Sequence, residues 1–417
     1  MKLEKYSMGI GDRFAHEAVA QLSALIRAEK HGVEIVPVWN KSFREHSIIG
    51  SNPEQTRAAA DEAVRICKWK HSYYLDADHI GLKNVDMFIA SCNFFTLDVA
   101  DFIGKEADSE SIARFADNYS FLAKKLEIPG IENPFPISRT DIEAIARKYL
   151  FAIKEAGKIY RKIESVKGKE NFITEVSMDE TDLPQTPLEM LFILAAVADE
   201  KIPAQTIAPK FSGRFNKGVD YVGDLTSFET EFNQDICVVA FATKEFALPS
   251  NLKLSVHSGS DKFSLYPIIN RALRKHNVGL HLKTAGTTWL EEVIGLAESG
   301  GEGLDVAREI YSKALSKFDE LCAPYATVID IKKGNLPTPE EVSKWSPAKF
   351  ANTLRHNQNC PDFNPDFRQL IHVGYKIAVQ MGSRFTNALL ASRTTIEKNV
   401  SENIFERHIK PIFIEKY

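Results

Sequence analysis

Eight short runs of strand length, each ending in or followed within two residues by a polar or charged side chain, constrain this chain's fold more than any other feature. They are Tyr6–Ile10, Glu34–Trp39, Ser72–Asp78, Asn93–Asp98, Phe172–Val176, Gln205–Pro209, Leu252–His257 and Val278–Lys283. Several alternate side chains with the period of two that half-buried strands require. Helical patterns lie between them. One runs from Phe14 to about Lys30, with Ala18, Leu22, Leu25 and Ile26 on one face. Another spans Pro53 to Cys67, with Ser51 expected at the N-cap and Pro53 in the first turn. Leu82 to Phe88 begins a third, Thr186-Pro187 opens a fourth, and further patterns reach Arg274 and cover Thr288 to Ala297. This alternation predicts an α/β (β/α)8 TIM-like barrel rather than an open doubly wound sheet. No GxGxxG or GxxxxGK[ST] follows any run, which removes the usual nucleotide-binding alternatives.

The spacing breaks after the fourth run. Two helical patterns between about Ser109 and Val166, separated by Ile128-Pro129-Gly130 and Asn133-Pro134-Phe135-Pro136, read as a helical insertion over about 105–168. From about Gly301 the chain reads as helical. The expected division is a barrel over 1–300 and a C-terminal helical region over 301–417 packed on it. Lys and Arg total 52 against 56 Asp and Glu, with no basic block, so neither nucleic-acid nor membrane electrostatics is indicated. No apolar run reaches membrane-span length, and Met1–Lys5 lacks a signal peptide's apolar core. Five scattered cysteines without CxxC spacing argue for a reducing cytoplasm and against a thiolate zinc site. The expected partner is a small molecule, and no feature specifies an oligomeric state.

In a (β/α)8 enzyme the C-terminal strand ends converge on one mouth, where the chemistry lies. Here those ends supply Asp12 and Arg13, Asn40 and Lys41, then Asp76, Asp78 and His79. The later ends add Asp98, Glu175, Lys210, His257 with Asp261 and Lys262, and His281 with Lys283. Strand phase refines the set. Tyr74, Asp76 and Asp78 share a face opposite Leu75 and Ala77. Ser255 and His257 point inward if Leu254 and Val256 face the helices, and His281 and Lys283 do so if Leu280 and Leu282 face out. Glu175 alternates inward with Ile173, and His79 lies at the turn, beyond the reach of alternation. Crowding Asp76, Asp78 and His79 at one strand end is costly unless a cation or substrate compensates.

Taken singly, a buried histidine more often serves as a hydrogen-bonded structural residue. His79, His257 and His281 reaching one mouth beside a carboxylate instead predict a nitrogen-and-oxygen site for a divalent metal with an open position. Such ligands admit manganese, zinc, nickel, cobalt or iron. Lys210, Arg214 and Lys217 suggest anion recognition, although a solvated loop is the plainer reading of Lys217. Lys41, Lys262 and Lys283 could each contact a ligand hydroxyl or carboxylate.

The stretches MGIGDRF at 8–14, PVWNKSFREH at 37–46, YLDADHIGLKNVD at 74–86 and FFTLDVADFIG at 94–104 continue as EVSMDETDLPQTP at 175–187 and PKFSGRFNKGVDYVGD at 209–224. LKLSVHSGSDKFSLYP at 252–267, GLHLKTAGTTWLEE at 279–292, RQLIHVGYKIA at 368–378 and ERHIKPIF at 406–413 complete a set covering nearly the whole chain. Through them the sequence resembles the tagaturonate (tagaturonate/fructuronate) epimerases of bacterial hexuronate catabolism. The resemblance implies metal-dependent interconversion of D-tagaturonate and D-fructuronate. It places the ligands on His79, His257 and His281, the proton acceptor on Asp78 and the donor on Glu175. Asp76 stays open as the base, and Asp179 or Glu180 as the acid. Asp76, Lys41, Lys210, Arg214 and Lys283 are the expected substrate contacts.

The two sugars differ at a carbinol carbon β to the ketone, whose C–H is not acidic. Retro-aldol cleavage and re-addition is therefore expected instead of deprotonation at carbon. Transient hydride transfer would also invert the centre, but it lacks a dinucleotide fingerprint. The competing readings are another metal-dependent sugar-acid isomerase or aldolase, and a non-catalytic uronate-binding barrel.

Overall fold

The computed structural model describes residues 1–284 and 286–417. Eight parallel strands close into a barrel in chain order: β1 (Tyr6–Ile10), β2 (Val36–Ser42), β3 (Tyr74–Ile80), β4 (Phe94–Asp98), β5 (Ile173–Ser177), β6 (Thr206–Ala208), β7 (Lys253–Val256) and β8 (Leu280–Lys283). Helices α1 (Ala18–Lys30), α2 (Phe43–Ile49) and α3 (Pro53–Cys67) follow the first two strands. Between β4 and β5 come α4 (Ser109–Asn118), a short antiparallel pair, and the 29-residue α5 (Arg139–Lys167). The remaining barrel helices are α6 (Pro187–Asp199), α7 (Leu225–Glu245), α8 (Tyr266–His276) and α9 (Thr287–Ser299). The predicted TIM-like class and the insertion after the fourth strand are both observed.

Three local expectations change. Asn52, not Ser51, caps α3: its side chain accepts from Gln55 N at 3.0 Å while Gln55 reaches back to Asn52 N. Only a single 3-10 turn, Val85–Met87, joins β3 to β4. Helix α7 had no sequence assignment. Asp224 caps it, accepting from Ser227 N at 2.6 Å, and Phe228, Phe232, Ile236 and Val239 form its buried stripe.

Strand alternation divides two apolar regions. Outward residues such as Met8, Leu75, Phe95, Val176, Leu254 and Leu282 join the main core beneath the helices. Inward, Leu3, Val36, Val38, Tyr74, Phe94 and Ile173 form a separate plug at the N-terminal end of the barrel. Each buried Phe or Ile there stabilises by roughly 1.5–3 kcal/mol. Towards the strand C-termini the interior turns polar, with Ser7, Asp76, Thr96, Glu175, Ser255 and Lys283 all buried. At the closing seam Gly9 pairs with Lys283. A Cβ at Gly9 would lie 2.8 Å from Lys283 Cγ, so glycine there gives the lysine stem room to pass.

Helices from Gly301–Ser316 onward pack on α9, α1 and α8. One of them, Pro365–Val373, reaches the barrel mouth. Its Arg368 donates to Gly218 O at 2.6 Å and pairs with Asp261 at 2.8 Å, tying the helix to the loops after β6 and β7. Among the described residues, no helix is long and apolar enough to cross a membrane.

Candidate active site

The end of β3 carries an irregular backbone at the mouth. The β3–β4 register shifts between Ala77 and Ile80, and His79 adopts a left-handed conformation with φ of 51°. Such a conformation costs a non-glycine residue about 1–3 kcal/mol. It turns His79 towards the same cavity as Asp78, which simple alternation would not allow.

His79 Nδ1 lies 3.3 Å from Asp98 Oδ2, leaving Nε2 towards Asp78 at 3.8 Å and Asp179 at 4.0 Å. His257 repeats the pattern from β7. Its Nε2 sits 2.7 Å from Glu175 Oε1, and its Nδ1 approaches Asp179 Oδ1 to 3.0 Å without hydrogen-bond alignment. The two imidazole centroids are 5.3 Å apart, and Ser177 Oγ holds Asp179 at 2.6 Å. Each histidine thus has one nitrogen on a carboxylate and the other facing Asp179. An outer carboxylate fixing the far ring nitrogen is the usual support of a metal-binding imidazole. His79, Asp179 and His257 present atoms that all lie within 4.8 Å of one another. Two nitrogens and one carboxylate oxygen suit a divalent transition metal and leave positions for a ligand. His79 also belongs to a second, more exposed group with Asp98 and Glu180.

The electrostatics agree with this arrangement. Burial lowers the pKa of both histidines, but Asp78 and Asp179 lift His79 well above its ordinary value. Asp179 and Glu175 likewise raise His257. Burial pushes Asp179 up, and His257 with His79 more than reverses it. The same negative field that holds protons on these imidazoles would favour a divalent cation in their place.

Beneath the cluster, Lys283 Nζ binds Asp76 at 2.8 Å, Asp78 at 2.7 Å, Glu175 at 3.0 Å and Thr96 Oγ1 at 2.7 Å. One buried ammonium therefore serves three carboxylates. Burial raises Asp76 to about 6 despite Lys283, helped by Asp78 and Glu175. For Asp78 the burial penalty is overcome by Lys283, His79 and His257, which hold it below the usual carboxylate range. Lys283 and His257 do the same for Glu175, against its burial. Asp78 lines the cavity with His79, Asp179 and His257, whereas Glu175 is fully buried behind His257.

The remaining expected residues are distributed differently. His281 points inward but bonds Ser7 Oγ through Nδ1 at 2.9 Å and packs on Phe94, a residue of the apolar plug. It sits two residues below Lys283 on β8, roughly 6–7 Å deeper by strand rise, and burial lowers its pKa to about 3. Asp76 lies in the same inner layer as Thr96 and Glu175. Lys41 is buried with Nζ on Arg13 O at 2.7 Å, and Lys210 Nζ is taken by Thr181 O. Arg214 is half exposed and pairs with Asp330 at 3.2 Å. Of the cationic residues, Lys217 and Lys283 line the cavity; Lys41, Lys210 and Arg214 do not. Lys262 ties loop carbonyls of Asn216, Val219 and Ser260 instead of facing a ligand. Sequence reasoning gave Asp98 no role, kept Asp179 only as an alternative acid, and assigned nothing to His372, which lines the cavity. The signals available were the polar end of β4 for Asp98 and the EVSMDE run for Asp179.

Comparison with known proteins adds three findings. The sequence profile of the family described as tagaturonate epimerase matches residues 1–411. A Thermotoga maritima protein named tagaturonate/fructuronate epimerase is 29% identical over 427 residues, covering 97% of this chain and 79% of the relative. Native and glycerol-complexed crystal structures of fructuronate-tagaturonate epimerase from Cohnella laeviribosi superpose with TM-scores of 0.80 to 0.81 at 23–24% identity. They cover 99% of this chain and 82% of theirs, and share its fold.

Proposed function

The chain belongs to the tagaturonate epimerase family, and from that membership we propose that it interconverts D-tagaturonate and D-fructuronate in hexuronate catabolism with a divalent cation held by His79, Asp179 and His257. The observation that carries the metal reading is the paired orientation of the two histidines. Each gives one nitrogen to a carboxylate, Asp98 or Glu175, and turns the other towards Asp179. When bound, the cation would supply positive charge to the oxygens of the ketone-bearing part of the sugar as its C–C bond opens.

The protein's own groups divide the rest of the work. Asp78 is the proton acceptor: it lines the cavity, stays ionised through Lys283, His79 and His257, and takes the hydroxyl proton of the carbinol that differs between the epimers. The C–C bond between that carbinol and the carbon α to the ketone then breaks, its electrons passing to the ketone fragment as an enediolate; the aldehyde turns, the enediolate re-adds to its other face, and Asp78 returns the proton to the new alkoxide. Lys283 holds Asp78 in place, and Glu175 orients His257. Lys217, bonded to Ser258 Oγ at 2.8 Å beside the cavity, is the cation suited to the substrate carboxylate. The five unpaired cysteines support a reducing, cytoplasmic setting.

The test is an assay of the purified protein on D-tagaturonate, following D-fructuronate, before and after chelation and with bound metal measured. Turnover should vanish on chelation and return with a divalent ion. His257→Ala should lose both metal and turnover. Full activity after exhaustive chelation refutes the metal, and a metal-loaded protein that leaves D-tagaturonate unchanged refutes the epimerase.

A further inference from the structure

His372 stands on the helical region beyond the barrel, yet it faces the same cavity as Asp78, His79, Asp179 and His257. Its backbone is pinned on two sides. Arg368, one turn earlier, donates to Gly218 O at 2.6 Å and Leu354 O at 2.8 Å and pairs with Asp261, while Trp289 Nε1 donates to Ile371 O at 2.8 Å. A ring carried on so fixed a segment is positioned, not merely accommodated.

Its Nδ1 finds no use among the described residues of the fold. The residue is 3% exposed, and among the described residues its buried Nδ1 has no hydrogen-bond partner. Leaving such a group unpaired costs about 1–3 kcal/mol, which an apolar side chain would avoid. The chain also makes room for it. Gly286 has an ordinary φ of −79°, so no backbone strain requires glycine there. A Cβ at that position would instead run into the His372 ring. A buried imidazole whose Nδ1 has no partner among the described residues, beside a glycine that clears its ring and facing a reaction cavity, is a donor–acceptor prepared for a ligand.

We propose that His372 contacts the substrate, its imidazole hydrogen-bonding an oxygen of the sugar acid held above His79, Asp179 and His257. The inference rests on the epimerase reading for the identity of the ligand and on the cavity for the contact. Burial, with Arg13, Lys217 and Arg368 nearby, keeps the ring neutral, so it offers one N–H and one lone pair. The strand order puts β3 across the barrel from β7, and His372 enters beside loop residues that follow β6 and β8. It therefore approaches from the wall opposite Asp78, where a turning aldehyde oxygen would need a second partner.

His372→Phe keeps the ring volume and removes both polar atoms, while His372→Gln retains a donor and an acceptor. In metal-loaded protein, calorimetric affinity for D-tagaturonate, kcat, KM, bound metal and melting temperature are compared with wild type. The expected result is a loss of roughly 10–100-fold in kcat/KM for His372→Phe with metal content unchanged, partly restored in His372→Gln. Should His372→Phe not fold, Gly286→Ala displaces the ring and should give the same loss. Affinity and turnover within twofold of wild type overturn the proposal, and so does a loss that tracks bound metal. Wild-type protein that binds D-tagaturonate without converting it would refute the epimerase reading alone, because affinity still reads the His372 contact.

Discussion

Replacing Lys283 with methionine tests whether one ammonium holds the floor of the site together. Nζ contacts Asp76, Asp78 and Glu175 at 2.7–3.0 Å, with side chains between fully buried and 12% exposed. At an effective dielectric near 20, each contact is worth about 6 kcal/mol of gross attraction before desolvation. Methionine fills the stem's volume but leaves three carboxylates facing one another. Breaking a buried pair by removing one partner typically costs roughly 3–5 kcal/mol, a large share of the ~5–15 kcal/mol that stabilises a folded domain. Unfolding entropy for 417 residues is about 0.9 kcal/mol per kelvin, so the melting temperature should fall by about 3–6 °C. The deficit should also depend on pH. Without the lysine the folded-state pKa values of Asp76, Asp78 and Glu175 rise above their unfolded values. The folded variant then binds more protons than the unfolded chain, and its stability falls as pH rises from about 4 towards neutrality. Thermal melts of wild type and Lys283→Met at pH 5 and pH 8 read both effects, with the larger deficit expected at pH 8. A variant melting within 1 °C of wild type at both values would refute the keystone role.

Asp98→Asn should weaken metal binding by about 10–100-fold, measured by competition with a chromogenic chelator, because the carboxylate fixing His79 Nδ1 is lost. His281→Gln should retain full metal content by elemental analysis, since His281 bonds Ser7 a layer below the cluster. Loss of metal there would overturn the assignment of the ligands to His79, Asp179 and His257. Lys217→Met should raise KM for D-tagaturonate about tenfold or more, whereas Arg214→Met, which breaks an exposed pair with Asp330, should leave it within twofold. Burial, with Asp12 and Glu397, raises Glu17 to about 8. Its contribution to stability is therefore fully present below about pH 4.5 and is lost as pH rises through 8. Glu17→Gln should match wild type in urea melts near pH 4.5 and exceed it at pH 8 by on the order of a few kcal/mol.

The barrel was legible because each of its strands is a short apolar run with its own terminator, and strand ends were placed to within a few residues. The parts that escaped are those where local signals are weak or tertiary. Helix α7 begins with Leu225-Thr226-Ser227-Phe228-Glu229-Thr230, whose polar residues dilute a stripe that becomes evident only from Phe228 to Val239. Ser51 and Asn52 are both good N-caps, and the choice falls to whichever side chain meets the third residue of the helix, here Gln55.

At the site, alternation gives direction without depth. His281 and Lys283 both point into the barrel, but they lie two residues apart on one strand and so occupy different layers. The upper layer receives Lys283, and the lower receives a histidine already bonded to Ser7. His79, expected at a turn beyond the reach of alternation, lies within β3, and it is the register break and left-handed backbone that bring it inward. Asp179 lies beyond the end of β5 on a loop that no period governs, and His372 comes from a helix far along the sequence. The barrel fixes which strand ends can meet. Which of their side chains share a level, and which loop or distant helix closes the remaining side, is decided by breaks in that regularity, and here the breaks supply Asp179, His79 and His372.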